Sequence, residues 1–128
     1  MSAITAGHVT TAPITGIDIH TYLVHDPARA IAFWHDVMGL RLTLIYEDRG
    51  GEFELPDGSM FGLWKMEDDS WQRGDGIMFA VPDIHAAVDY YRAKGVAIAH
   101  LEEFPLCWMA FAEDSEGNGF ILHQRKAR

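Results

Sequence analysis

Hydrophobic residues recur along the chain with two different periods, and each period predicts its own kind of element. In the segment GIDIHTYLV, residues 16–24, apolar and polar residues alternate, which is typical of a strand buried on one face. Further along, Ile31, Trp34 and Met38 recur at helical spacing. Asp26 is a good helix N-cap between the two segments, so the pattern predicts a strand followed by a helix.

Three apolar segments of strand-like length follow the predicted helix. They read RLTLIYE, EFEL and MFGLWKM, at residues 41–47, 52–55 and 60–66. Pro56-Asp57-Gly58 is a turn sequence between the last two. The first half of the chain therefore predicts the order strand, helix, strand, strand, strand.

The same order of elements recurs in the second half of the chain. Val24–Trp34 aligns with Val81–Tyr91 at an offset of 57 residues, and Asp57–Leu63 aligns with Glu116–Leu122 at an offset of 59. The drift of two residues fits a difference in loop length. We interpret the chain as a tandem duplication, with second-unit strands predicted at residues 76–81, 96–102, 107–113 and 119–124.

A unit of this kind has one helix, which covers only one face of its sheet. The uncovered face becomes concave when the sheet twists, and small ligands bind in concave surfaces. We therefore predict an α+β fold in which tandem βαβββ units form a curved mixed sheet with a concave cleft, with the helices on the outer face. The predicted divisions are a flexible N-terminal extension (1–13), a first unit (14–66), a linker (67–75), a second unit (76–125) and a tail (126–128).

Composition restricts the partners that this fold is expected to have. The 128 residues include 19 acidic and 10 basic side chains, which gives a net charge of −9. A nucleic acid partner is not expected, because phosphate recognition needs a basic surface. No segment approaches the roughly 20 apolar residues of a transmembrane helix, so no membrane partner is expected. Cys107 is the only cysteine, which excludes an internal disulfide and favours a reducing cytoplasm.

The duplicated motifs resemble those of the vicinal oxygen chelate superfamily. The motif V-x-D…A-I-A-F-W…M-G-L, from Val24, and the motif D-S-E-G-N…L-H-Q, from Asp114, carry a resemblance that covers roughly residues 14 to 125. This superfamily includes glyoxalase I, extradiol dioxygenases, fosfomycin-resistance enzymes and bleomycin-resistance proteins. The resemblance implies a homodimer whose clefts often combine one unit from each of two chains.

The resemblance also implies four positions at which the enzymes of the superfamily hold a divalent metal, usually with His or Glu. In this sequence the four positions carry Ile19, Gly62, Gly76 and Ile121. None of these side chains has a lone pair to donate, whereas divalent metals need three or more protein ligands. We therefore predict that the usual metal site is missing and that the protein uses no cofactor.

The first functional hypothesis is a metal-independent protein that binds a small, largely apolar or aromatic molecule in the cleft. The resemblance to bleomycin-resistance proteins implies sequestration of an antibiotic and allows a cationic ligand, which aromatic rings and an acidic chain would attract. The residues predicted to line this ligand site are Thr21, Leu23, Trp64, Met78, Trp108, Ile121 and His123.

Two alternatives involve catalysis. The first is a metal-independent isomerase, cyclase or lyase in which His123, His20 and Glu54 are the candidate acid–base groups. The second is a glyoxalase- or dioxygenase-like metalloenzyme with a displaced site, built from His20, His123 and either Glu52 or Glu54. It requires a one-residue slip or a bulge in the first strand. Alternation alone places His20 on an accessible face together with Asp18 and Tyr22, whereas the resemblance points Ile19, Thr21 and Leu23 into the cleft.

Overall fold

The computed structural model describes residues 12–127, and these residues form two units with the predicted order of elements. The elements of the first unit are β1 (His20–Leu23), α1 (Pro27–Ala32), which continues as a π-helix over Phe33–Val37, β2 (Arg41–Tyr46), β3 (Gly50–Glu54) and β4 (Met60–Trp64). Those of the second unit are β5 (Met78–Ala80), α2 (Ile84–Ala93), β6 (Ala97–Glu103), β7 (Cys107–Glu113) and β8 (Gly119–Arg125). Residues 1–11 of the predicted extension, and residue 128 of the tail, lie outside the described residues.

Each unit builds its own four-stranded mixed sheet. The strand orders are β1-β4-β3-β2 and β5-β8-β7-β6, and in both sheets the first strand runs parallel to the last while the other pairs are antiparallel. The concave surface predicted from one curved sheet is thus divided between two sheets, whose first strands β1 and β5 are both edge strands. This leaves one uncovered face on each unit.

Both helices begin as the sequence predicts. The Asp26 carboxylate accepts a hydrogen bond from the Arg29 backbone N–H, and Asp83 accepts the equivalent bond from Ala86, each at 3.1 Å. Gly39 follows the first helix with a φ of +75°, a backbone conformation that favours glycine. Neither described helix is long and apolar enough to cross a membrane.

A single hydrophobic core joins the helix-covered faces of the two sheets. Trp34 is fully buried at its centre, with its ring 4.7 Å from that of Phe61 in the first sheet and 4.9 Å from that of Phe120 in the second. Two polar contacts reinforce the join: the Tyr22 hydroxyl donates to the Gly119 carbonyl at 2.5 Å, and the Asn118 amide donates to the Leu23 carbonyl at 3.0 Å. Each unit therefore needs the other to bury its apolar surface.

The duplication extends to a β-bulge in the second strand of each sheet. In the first sheet the register shifts between Leu42 and Leu44, and in the second it shifts between Ile98 and His100, 56 residues later. A bulge adds one residue to a strand and reverses the faces of the residues beyond it. Leu42 and Ile98 therefore pack against the core, whereas Leu44 and His100 lie on the uncovered faces.

Candidate functional site

We define the open face of each sheet as the side opposite the helices. In the first sheet the core side carries Tyr22, Phe53 and Phe61, which are at most 2% exposed, so the residues that alternate with them form the open face. One row across the first open face, in strand order, is Thr21, Gly62, Glu52 and Leu44. The equivalent row across the second open face is Met78, Ile121, Phe111 and His100.

Of the four positions at which the resemblance implies metal ligands, 62 and 121 lie on the open faces, 19 lies against 62, and 76 lies just before β5. Thr21 pairs with Gly62 in the first sheet as Met78 pairs with Ile121 in the second, so the positions are equivalent in the two units. A Cβ atom on Gly62 would lie 3.0 Å from Cδ1 of Ile19, which brings positions 19 and 62 side by side. The two positions carry a hydrocarbon side chain and a hydrogen atom, which do not fit a metal ion. Within residues 12–127, no three His, Cys, Asp or Glu side chains are grouped closely enough to hold one.

His20 lies on the helix side of the first sheet and not on its open face. It pairs with Phe61, which is buried in the core, and its ring packs edge-on against that of Tyr22 at 5.3 Å. The slip or bulge that would bring His20 to position 19 therefore does not occur. Asp18 and His20 are exposed as alternation predicts, but the interpretation of Tyr22 as accessible is wrong, because Tyr22 is only 2% exposed. Alternation failed here because the strand is too short to show which face is covered.

The first open face contains a cavity of about 370 Å³ with a glycine floor and aromatic walls. Its lining includes Thr21, Gly62 and Trp64, together with Tyr46 and Glu52 from the neighbouring strands. The rings of Tyr46 and Trp64 meet edge to face, with their centroids 5.6 Å apart. Gly62 contributes no side chain, and the side chains of Ile19 and Thr21 partly cover it, because a Cβ atom there would lie 3.0 and 3.1 Å from their nearest atoms. The remaining space lies beside them, between the aromatic walls. Such a space suits a flat, largely apolar molecule.

One hydrogen-bonded pair gives this cavity a polar side. The Tyr46 hydroxyl donates to Oε2 of Glu52 at 2.9 Å. The bond to the neighbouring carboxylate raises the pKa of Tyr46, because ionising the phenol would remove the donated proton and place two negative charges side by side. On the other side of the aromatic wall, the Arg49 guanidinium lies 5.7 Å from the Trp64 ring centroid, a distance at which a cation–π interaction holds the indole.

The second open face is filled by larger side chains. Ile121 is 7% exposed and pairs with Met78, while His123, one pleat further along β8, pairs with Met109 and Ala80. The His100 ring stacks on that of Phe111 with a centroid distance of 4.8 Å. A smaller cavity of about 300 Å³ lies at the end of this face, between Phe111 and Ala97 on the sheet and Arg73 and Asp75, which precede β5.

Of the residues predicted to bind a ligand, Thr21, Leu23 and Trp64 lie on the first open face, and Met78, Ile121 and His123 lie on the second. Trp108 requires a correction. Alternation along β7 puts it opposite Met109, on the helix side, where its ring is 5.0 Å from that of His85 in α2. The Lys126 ammonium group lies over its ring at 5.2 Å. Trp108 is therefore not part of either open face.

The three candidate acid–base groups are not brought together within one chain. His123 lies on the open face of the second sheet, and His20 lies on the helix side of the first. Glu54 lies at the far end of the first open face, where its carboxylate pairs with the Arg41 guanidinium at 2.9 Å.

Tyr46, and Glu52 as a ligand-binding residue, are the members of the site that the sequence pattern missed. The bulge after Leu42 hides Tyr46, because a regular strand would put Tyr46 on the same side as Leu42, facing the core. The signal that could have revealed the face of Tyr46 is the position of Leu42 on the helix side. With Leu42 there, Leu44 and Tyr46 can face the open side only if the strand contains an extra residue between Leu42 and Leu44.

Two βαβββ units that share one core and leave their open sheet faces free define a protein of the paired-βαβββ class. The model of the Glyoxalase/Bleomycin resistance protein/Dioxygenase superfamily matches residues 8–121 of this chain. The chain therefore belongs to that family, and the resemblance drawn from its motifs is confirmed. A comparison with curated proteins finds no significant match.

Solved structures show the same fold in proteins of several kinds. A lactoylglutathione lyase from Agrobacterium tumefaciens superposes with a TM-score of 0.75 at 18% identity, over 88% of this chain and 96% of that one. TnmS3, an antibiotic-binding protein from Streptomyces sp. CB03234, superposes with a TM-score of 0.76 at 19% identity, over 90% and 99%. A superfamily member from Sphaerobacter thermophilus superposes with a TM-score of 0.75 at 22% identity, over 87% and 98%. At these identities the likeness describes the fold alone.

Proposed function

We propose that this protein binds a small, largely apolar or aromatic molecule on the open face of its first sheet, without a metal. The observation that carries the proposal is the cavity of about 370 Å³ with Gly62 as its floor and Trp64 and Tyr46 as its walls. Rings and a flat floor offer a planar molecule a large contact area at little entropic cost, because the walls are already held in place.

Two further points support a binding role. The side chains at positions 19, 62, 76 and 121 offer apolar surface where the family's enzymes carry ligands to an ion. The fold is also that of TnmS3, which is described as an antibiotic-binding protein. Capture and sequestration of an antibiotic is accordingly the function that we assign to the cavity.

A second copy of the chain would complete the site. Leu44, Tyr46 and Met78 lie on the open faces with 42%, 40% and 47% of their surface exposed, although each is large and apolar. Exposed apolar patches of this kind mark interaction surfaces. The edge strands β1 and β5 are paired on one side only. We propose a homodimer in which the open face of one copy's first sheet meets that of the partner's second sheet, which encloses two equivalent cavities.

Titration with flat polycyclic antibiotics and with the neutral tricycle acridone, followed by tryptophan fluorescence, tests the proposal. We expect saturable quenching, and we expect Trp64→Ala to weaken binding by about tenfold, since aromatic contacts of this kind contribute about 1 kcal/mol beyond area burial. Trp108→Ala is the matched control, because it removes an indole from the helix side and should leave the affinity unchanged. Sedimentation velocity on the same samples should give a mass of twice 14.4 kDa.

Absence of saturable binding across the whole panel would contradict the proposal. Equal loss of affinity in Trp64→Ala and Trp108→Ala would place the ligand elsewhere. A monomer at micromolar concentration, with or without acridone, would refute the shared cavity.

A further inference from the structure

The cavity of the first open face contains a half-buried carboxylate whose charge has no cationic partner in the part of the chain described. Glu52 accepts one hydrogen bond, from the Tyr46 hydroxyl to Oε2 at 2.9 Å. Glu54, on the same strand and the same face, pairs with the Arg41 guanidinium at 2.9 Å. The two carboxylates are chemically identical and two residues apart, yet only Glu54 has its charge balanced.

The unbalanced charge of Glu52 lies inside the cavity. Glu52 pairs with Gly62 in the middle of the sheet and lines the same cavity as Trp64. Partial removal of a carboxylate from water is unfavourable unless a donor or a cation replaces the water. The Tyr46 hydroxyl satisfies one oxygen, and within residues 12–127 no donor bonds to the other, Oε1. The cavity therefore has an anionic acceptor available beside its aromatic walls.

We propose that Glu52, positioned by Tyr46, binds a protonated amine of a flat aromatic ligand. This inference rests on the proposed function, and it deepens it by naming the ligand class: planar aromatic cations. The Glu52 carboxylate provides a charge-assisted hydrogen bond, and the faces of the Trp64 and Tyr46 rings attract a cation. The net charge of −9 adds a field that concentrates cations around the protein.

The second open face has no carboxylate at the equivalent position. The position of Glu52 is taken there by Phe111, which pairs with Ile121 as Glu52 pairs with Gly62. The carboxylates of the second open face each have a neighbouring nitrogen group instead: Glu102 lies 3.0 Å from Nε2 of His100, and Glu113 pairs with the Arg73 guanidinium at 3.0 Å. Glu52 therefore differs from the other open-face carboxylates in having no such partner among the described residues.

A matched pair of tricycles tests the inference on the full-length protein. The ligand 9-aminoacridine is a cation at pH 7, whereas acridone has a similar shape and no charge. We expect the wild type to bind 9-aminoacridine more tightly than acridone. Glu52→Gln should weaken 9-aminoacridine binding by about tenfold, the size expected for a lost hydrogen bond to a charged group, and leave acridone unaffected. Tyr46→Phe should weaken 9-aminoacridine binding by a smaller factor, because the carboxylate stays but is no longer held.

Glu54→Gln is the control, because it removes a charge from the same face that is already paired with Arg41, and it should leave both affinities unchanged. Equal affinity of the wild type for both tricycles, or an equal effect of Glu52→Gln and Glu54→Gln, would overturn the inference while the proposed function stands. A change of oligomeric state in Glu52→Gln without a change in ligand preference would assign the carboxylate to the dimer contact and also overturn it. Binding of neither tricycle would overturn the inference, and the antibiotic panel would then decide the proposed function separately.

Discussion

The open faces of the two units have the same arrangement of strands but carry different side chains. In the first sheet, the row Thr21, Gly62, Glu52 and Leu44 leaves space at its centre, and in the second the row Met78, Ile121, Phe111 and His100 fills it. Strand order, parallel pairing, helix caps and even the bulges repeat between the units. The comparison shows that the fold fixes where side chains point, whereas the individual side chains fix the chemistry of the face.

The residues at positions 19, 62, 76 and 121 show how side-chain packing differs between the two units. Each unit has one isoleucine and one glycine at these positions. The isoleucine comes first in the first unit (Ile19, then Gly62), and the glycine comes first in the second (Gly76, then Ile121). In the first sheet the last strand lacks a side chain because Ile19 already occupies the neighbouring space, 3.0 Å from where a Cβ of Gly62 would lie. The same two residue types thus occupy these positions in both units, but in exchanged order along the chain.

The largest expected difference between the units concerns their helices, since Trp34 and Tyr91 hold equivalent positions. Trp34 is fully buried between both sheets, whereas Tyr91 is half-buried and donates a weak hydrogen bond to the Met38 carbonyl at 3.3 Å. We expect Trp34→Ala to lower the free energy of unfolding by about 4 kcal/mol. Tyr91→Ala should lower it by about 1 kcal/mol. Urea denaturation measures both, and similar losses would show that the two units do not share one core centred on Trp34.

A second difference concerns Gly50 and Met109, which hold equivalent places in the third strands. A Cβ atom on Gly50 would collide with the Leu63 carbonyl group, which is main chain and cannot turn away. We expect Gly50→Ala to destabilise the protein by about 3 kcal/mol, in the range of overpacking substitutions. Acridone binding should be lost with it, because Gly50 pairs with both Tyr46 and Trp64.

Met109→Ala is the control for this substitution, because it removes a half-buried side chain from the second open face and disturbs no main chain. We expect it to cost about 1 kcal/mol and to leave acridone affinity within twofold. If Gly50→Ala is as mild as Met109→Ala, the close approach of β3 to β4 is not a constraint on the first sheet.

Much of this fold could be predicted from the sequence because its signals are local and repeated. Asp26 and Asp83 marked both helix starts, and the offsets of 57 and 59 residues revealed the duplication. Residues near the bulges were not predictable in the same way. The face of Tyr46 depends on one extra residue in β2, whose presence is decided by the packing of Leu42 against the core and not by the composition of the strand. Trp108 was assigned to the wrong side because nothing near it in sequence shows that His85 of α2 covers its ring.

The smallest expected effect is a difference in pH-dependent stability between the two β-turns that precede β4 and β8. Their backbones match, because Leu55 accepts a hydrogen bond from Gly58 as Asp114 does from Gly117, 59 residues later. Their carboxylates differ. Burial raises the pKa of Asp114, although the backbone N–H groups of Glu116 and Asn118 partly offset this. The hydroxyl and the backbone N–H of Ser59 instead lower the pKa of Asp57, which is fully exposed.

These opposite shifts predict opposite pH dependences of stability. The folded protein holds the Asp114 proton more tightly than the unfolded chain, so this group lowers the free energy of unfolding as pH rises from its ordinary pKa of 3.8 to its raised value. Asp57 contributes stability above 3.8 that is lost as pH falls through its lowered pKa. In urea denaturation from pH 2.5 to 6, Asp114→Asn should therefore gain stability relative to the wild type as pH rises above 3.8. Asp57→Asn should lose stability relative to the wild type as pH rises toward 3.8. Parallel pH profiles for the two variants would show that the turns are electrostatically alike, and that the difference between the units is confined to their open faces.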